Sequence, residues 1–184
     1  MKGMQVLYSA EEIAARVGEL GRQISRDYAG RDLVLVGVLN GAFMLTADLA
    51  RAISIPLMLD FVRAASYGQA TASCGEVRLG KDVELDLTGR HLLLVEDIVD
   101  SGRTLARLRE HLLAKGAASV RVCALIDKHE RREVEVTVDY PGFSDAHGFL
   151  VGYGLDHAER HRQYPAIYRV EGRVEGRVEE EQGS

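Results

Sequence analysis

Residues 91–108 read HLLLVEDIVDSGRTLARL, and the point where this stretch changes character decides how the rest of the chain is read. Leu92 to Val95 is an unbroken apolar run, the composition of a strand covered on both faces. Two adjacent acids follow, Glu96 and Asp97, then two apolar residues and Asp100. Ser101, Gly102, Arg103 and Thr104 lead from there into Leu105, Leu108 and Leu112 at helical spacing. The pattern is strand, acidic edge, phosphate-sized loop, helix. Gly102 permits close backbone approach, Ser101 and Thr104 offer hydroxyls, Arg103 adds charge, and the first helical turn presents unpaired N–H donors. The same residues also suit an ordinary strand-to-helix turn with Ser or Thr as N-cap. Two acids beside a phosphate repel it unless they grip hydroxyls or a divalent cation. A phosphorylated sugar carrying Mg²⁺ meets both needs.

Working outward, Ser9 and Glu12 form a capping box ahead of Ile13, Val17, Leu20 and Ile24, with Gly30 placed to stop that helix. Leu33 to Val38 is a second buried strand, ending in LNGA and a helix through Leu49. LMLDFV after Pro56 is a strand, Ala64 to Gly75 a mobile loop, and Val77 to Leu79 its returning strand. Lys115 and Gly116 close the helix of the opening stretch, and Ser119 to Ile126 is the next strand. DKHERRE follows it. Val134 to Val138 alternates like an outer strand, and Phe149 to Val151 starts a last short one before GYGLDHAERHR. Buried strands alternating with helices predict an α/β fold with a parallel central sheet. Ligands of such sheets gather beyond the carboxyl ends of the strands, where the polar clusters after Val38, Val95, Ile126 and Val151 lie.

The 184 residues suit one domain over 1–170, with 171–184 a disordered polar tail containing a doubled EGRV. No stretch approaches the ~18 apolar residues of a membrane span, and the N-terminus lacks a signal peptide's apolar core. A cytoplasmic protein is expected. A net charge of −5 argues against a broad nucleic-acid surface. Cys74 and Cys123 form neither a metal spacing nor a disulfide framework. There is no GxxxxGK[ST] loop, and Gly152 and Gly154 lack the third glycine of a dinucleotide fingerprint. His157 and His161, four apart on an expected helix, suit Zn²⁺ only with a third soft ligand. With no HExxH pattern present, they are read as solvated helix residues.

VEDIVDSGRT resembles the phosphoribosyl diphosphate signature of the type I phosphoribosyltransferases. From about Val34 to Arg162 the chain is similar to the hypoxanthine and hypoxanthine-guanine members. The resemblance implies a parallel sheet flanked by helices, a small hood, and a mobile lid at about 64–77 in which Ser66 and Tyr67 close over the site. It assigns Glu96 and Asp97 to ribose hydroxyls and metal, Ser101, Gly102, Arg103 and Thr104 to the 5-phosphate, and Asp100 to catalysis as the acceptor of the purine N7 proton. GVLNGAFMLTADLAR resembles the diphosphate loop. Leu39, Asn40 and Gly41 then present backbone donors across a cis peptide, and Arg162 contacts diphosphate. By the same resemblance Lys128 reads a purine 6-oxo group, Phe149 stacks on the base, the Leu150 backbone meets its pyrimidine edge, and Asp156 holds Mg²⁺. Asn40 stands where the family often has a basic residue, and Gly148 where it often has a lysine.

The implied activity is purine salvage, the transfer of phosphoribose from 5-phosphoribosyl 1-diphosphate to hypoxanthine or guanine, by a homodimer or homotetramer. The rival from another class is a regulator that keeps this fold, senses phosphoribosyl diphosphate and binds nucleic acid. Within the enzymes, a xanthine-preferring or pyrimidine-directed relative is the alternative.

Overall fold

A computed structural model describes residues 3–64 and 79–171. The expected lid with Ser66 and Tyr67, and the tail beyond Glu171, lie outside the described residues. In chain order the elements are β1 (Met4–Tyr8), α1 (Ala10–Asp27), β2 (Leu33–Val38), α2 (Phe43–Ala52), β3 (Leu57–Ala64), β4 (Leu79–Lys81), β5 (His91–Val99), α3 (Arg103–Ala114), β6 (Ser119–Asp127), β7 (Tyr140–Phe143), β8 (Leu150–Val151) and β9 (Ile167–Val170).

The three apolar runs become the centre of the main sheet, whose order is β4-β3-β2-β5-β6-β7. All its pairings are parallel except β3 with the edge strand β4. Alternation along each strand then sorts side chains to two faces. Leu33, Leu35, Leu93 and Val95 meet Ile13, Val17, Leu20 and Ile24 of α1 and Leu45 and Leu49 of α2. Val34, Val36, Leu92 and Leu94 meet Leu105, Leu108 and Leu112 of α3 on the other side. Each fully buried side chain of this kind stabilises by about 1.5–3 kcal/mol. The capping box of α1 forms as expected, with Glu12 N–H donating to Ser9 Oγ at 3.2 Å and Ser9 N–H to the Glu12 carboxylate at 2.8 Å. Gly30 lies just past the helix at φ +74°.

A second, antiparallel sheet of order β1-β9-β8 forms the hood. Its Tyr8, Leu150 and Ile167 belong to the same buried cluster as Leu35 and Leu93, so hood and sheet share a core. Three expectations change. The strand carrying Glu96 and Asp97 does not end at Val95 but continues to Val99, because β6 pairs with it as far as Val99↔Asp127. The outer strand is Tyr140–Phe143 rather than Val134 to Val138. That segment instead wraps the loop after β5, with Glu133 and Val134 N–H both donating to Ser101 O at 3.0 Å. Its alternation reflects Val136 reaching the core without sheet pairing. Lastly, the chain from His157 to His161 is not helical: Ala158, Glu159 and His161 all have positive φ. The two histidines are therefore not stacked one helical turn apart.

Candidate active site

The parallel register sets the carboxyl ends of β2, β5 and β6 side by side, and a cleft of about 300 Å³ opens beyond β2 and β5. Its wall contains Leu39, Asn40 and Gly41 from the β2–α2 turn, Glu96, Asp97 and Asp100 from β5 and its end, Ser101, Gly102 and Thr104, and from the hood side Asp156 and Arg162. Eleven of the residues expected to act together thus meet in one place.

The loop after β5 has the form a phosphate needs. Gly102, at φ +81°, stands at the N-cap of α3 and has no side chain to cap the helix, the first N–H, that of Arg103, donating to Ser101 Oγ at 3.4 Å. Its first N–H groups point where an anion is favoured by both hydrogen bonding and the helix dipole. A Cβ on Gly102 would also lie 2.4 Å from Val134 O, so the glycine serves packing as well as approach. Arg103 turns away to pair with Glu133 and does not line the cleft.

The acids differ in their surroundings. Glu96 is buried, and that burial, with the neighbouring Asp97 charge, raises its carboxyl well above the usual range. Asp97 is fixed by Ile98 N–H, which donates to its Oδ1 at 2.8 Å, and its other oxygen lies against Gly41. A Cβ at Gly41 would sit 1.6 Å from Asp97 Oδ2. In the next layer a Cβ at Gly154 would sit 2.0 Å from Gly41 O. Two glycines therefore let the hood, the β2–α2 turn and the acidic edge stack backbone to side chain. Among the described residues buried Asp100 Oδ1 has no hydrogen-bond partner, while Oδ2 lies 3.6 Å from Arg131. An orphaned carboxylate oxygen in a cleft wall is an acceptor awaiting a donor.

In the β2–α2 turn the Leu39–Asn40 peptide is cis. Leu39 N–H is already donated to Val62 O at 2.8 Å, because β2 pairs with β3 to its end. It is therefore not a donor for a ligand, and Asn40 and Gly41 carry that part of the loop. Asn40 Oδ1 accepts from Arg63 at 2.6 Å, which brings a cation from β3 to a loop that lacks its own. On the hood side Arg162 donates to Gly154 O at 2.8 Å and pairs with Asp156 at 2.9 Å.

The expected base-binding residues stand outside this wall. Lys128, only 4% exposed, follows β6 and donates from Nζ to Gly148 O at 2.7 Å. Phe149 is half-buried, with its ring edge-on to His157 at 5.5 Å. Leu150 is buried in β8, paired with Arg169 of β9. Asp156, Glu96 and Asp97 are hard oxygen donors suited to Mg²⁺. Among the described residues no three His, Cys, Asp or Glu side chains converge into a metal cage. An ion held there by one or two carboxylates would take substrate and water oxygens to complete its shell.

Sequence reading missed Arg63 and Arg132. Nothing in the DKHERRE run singles out Arg132, yet its side chain is only 14% exposed, tucked under the loop after β5.

A family model, that of the phosphoribosyl transferase domain, matches residues 5–158. Over 169 residues the chain is 45% identical to the hypoxanthine phosphoribosyltransferase of Escherichia coli K12, covering 91% of this chain and 95% of that protein. The chain belongs to the hypoxanthine and hypoxanthine-guanine phosphoribosyltransferase family. Similar identity, 45% over 174 residues, relates it to the hypoxanthine-guanine phosphoribosyltransferase of Mycobacterium bovis, covering 91% of this chain and 86% of the other. A crystal structure of a hypoxanthine phosphoribosyltransferase from Staphylococcus aureus superposes with TM-score 0.86 at 36% identity, covering 91% of each chain. The cleft of this phosphoribosyltransferase is thus set in a fold shared over 91% of the chain with that Staphylococcus aureus structure. No helix of the described residues is long and apolar enough to cross a membrane.

Proposed function

We propose that the cleft transfers phosphoribose from 5-phosphoribosyl 1-diphosphate to N9 of hypoxanthine or guanine, releasing diphosphate and giving IMP or GMP. The observation that carries this reading is the meeting, in one wall, of a helix N-terminus that opens on a glycine, an acidic strand end, a glycine turn and Arg162. A phosphate, a polyhydroxylated ring and a diphosphate need those groups in that order.

In this reading the N–H groups of α3, with Ser101 and Thr104, hold the 5-phosphate, and Arg103 lends charge from outside the wall. Asp97 and Glu96 take the ribose hydroxyls. Asn40 and Gly41 N–H and the Arg162 guanidinium hold the leaving diphosphate, where negative charge grows as the glycosidic bond breaks. Bound through Asp156 with help from Glu96 and Asp97, Mg²⁺ would neutralise charge on the diphosphate. Asp100 Oδ1 receives the proton that the purine must lose as N9 attacks; such help is worth about 10²- to 10⁴-fold. Lys128 donates to the 6-oxygen, which disfavours adenine, whose 6-amino group is itself a donor. Phe149 stacks on the base and the Leu150 backbone meets its far edge, while Ser66 and Tyr67 close over the site to keep water from the cation-like ribose.

The same proposal has the protein work in the cytosol as a single phosphoribosyltransferase domain assembled into a homodimer or homotetramer, which size-exclusion chromatography with light scattering tests. The activity is tested by steady-state turnover with phosphoribosyl diphosphate and a panel of hypoxanthine, guanine, xanthine, adenine and uracil, with and without Mg²⁺. Turnover of the first two is expected. Turnover confined to xanthine or uracil, or none, overturns the assignment.

A further inference from the structure

We propose that Arg132 is a positioning residue, one guanidinium that sets Asp100 and Lys128 at a fixed separation on the two strand ends that carry them. The inference rests on the roles just given to those two residues.

Arg132 lies four residues past Lys128 and folds back beneath the loop after β5. Its Nε donates to Asp100 O at 3.1 Å, and its Nη2 donates to Lys128 O at 2.7 Å. Nη2 also pairs with Asp127 Oδ1 at 2.5 Å and lies 3.5 Å from Val99 O. Nη1 donates to Val136 O at 3.2 Å. One planar fork thus joins the carbonyls of the two residues whose side chains are proposed to receive the N7 proton and to read O6. Asp127, itself buried, supplies the counter-charge that lets a guanidinium stay there. Lys128 N–H also donates to Val99 O at 3.0 Å, a ladder bond that fixes strand spacing but not the turn of the chain at Asp100, and Arg131 lies 3.6 Å from the Asp100 carboxylate. N7 and O6 are separated by a rigid ring, so the two protein groups that meet them must be held at a matching separation. A guanidinium can span the two carbonyls because its donors point in several directions from a rigid plane. A lysine ammonium, with its donors on one atom, cannot.

The test is Arg132→Lys, which keeps the charge beside Asp127 and loses the span. With hypoxanthine and phosphoribosyl diphosphate, kcat is expected to fall about a hundredfold, the scale of a misplacement of roughly 1 Å, while KM for phosphoribosyl diphosphate stays near wild type. The ratio of kcat/KM for hypoxanthine to that for adenine is expected to fall as well. That ratio does not depend on how much of the protein is folded, so a merely structural role leaves it alone. Wild-type turnover and ratio in Arg132→Lys overturn the proposal, and so does lost turnover with the ratio intact. Asp127→Asn, which keeps an acceptor but loosens the guanidinium, moves both readouts in the same direction and decides the matter if Arg132→Lys does not fold. Wild-type values in that variant also overturn the proposal. If the unmodified protein fails to turn over hypoxanthine, the functional reading falls, and this proposal with it.

Discussion

Gly41→Ala is the sharpest perturbation the site offers, because the backbone there is not left-handed and the added methyl group meets one specific atom. The new Cβ would lie 1.6 Å from Asp97 Oδ2 and 2.4 Å from its Cγ. Ordinary contact begins near 3.4 Å, so the carboxylate has to retreat by about 1.8 Å. Retreat breaks the 2.8 Å bond from Ile98 N–H, a loss of about 1 kcal/mol, and overpacking adds about 1–3 kcal/mol. For a chain of this size that lowers Tm by roughly 4–16 °C. The effect on catalysis is larger in proportion. A displacement of this order at a group that grips ribose costs at least about a hundredfold in kcat/KM, about 2.7 kcal/mol of transition-state stabilisation. Initial rates of IMP formation across a matrix of phosphoribosyl diphosphate and hypoxanthine concentrations measure it, with thermal unfolding run alongside. The cause is isolated by repeating the substitution in an Asp97→Ala background. With the carboxylate gone the methyl group has room, and the second change adds little. A Gly41→Ala protein within threefold of wild-type kcat/KM, or full additivity with Asp97→Ala, refutes the steric reasoning.

Asp100→Asn keeps the shape of the side chain but cannot take a proton; kcat falls by about 10²- to 10⁴-fold with little change in KM, and unchanged kcat removes Asp100 from the role. Lys128→Ala loses the donor to the 6-oxygen, so preference for hypoxanthine over adenine drops roughly ten- to a hundredfold in competition assays, and retained preference counts against it. Asp82 tests electrostatics far from the cleft. Burial works against its charged form, but the Lys115 ammonium at 2.8 Å, His111 and Val83 N–H outweigh it and hold the carboxyl below its ordinary value. Its stabilising contribution is therefore complete above its unfolded pKa, near 3.9, and is lost as pH falls through the lower folded value. The stability gap between wild type and Asp82→Asn, measured by denaturant unfolding, closes below about pH 4; a gap that stays constant excludes the linkage.

What could be read from the chain alone follows from where the physics is local. Strands β2, β5 and β6 are legible because burial on both faces demands unbroken apolar runs, and α1 because its cap and its apolar stripe fall within four turns. The loop after β5 is legible because residue types and spacing there answer directly to a phosphate and a sugar. The hood is not. Met4 pairs with Val170 across nearly the whole chain, and neither MQVLY nor IYRV carries a pattern naming so distant a partner. Val134 to Val138 misled because alternate burial arises against a loop as readily as against a sheet. Arg63 and Arg132 stayed hidden for a related reason. A charged side chain acquires its meaning from what lies beneath it, and for Arg132 that is a set of carbonyls brought together only when β5 and β6 align.

The ion pair between Arg162 and Asp156 has a consequence for how the cleft tells complete substrates from fragments. Each is the other's partner at 2.9 Å, so neither presents its full charge to an arriving ion. An anion that captures the guanidinium leaves the carboxylate short of a counter-charge, and a cation taken by the carboxylate leaves the guanidinium paired with Glu159, at 3.0 Å. On the proposed reading the two events promote each other by the same factor, since coupling between binding sites is reciprocal. Free diphosphate or free Mg²⁺ must break the pair unaided, whereas their chelate exchanges both halves at once. On the proposed reading the resting pair favours the neutralised complex over either of its parts.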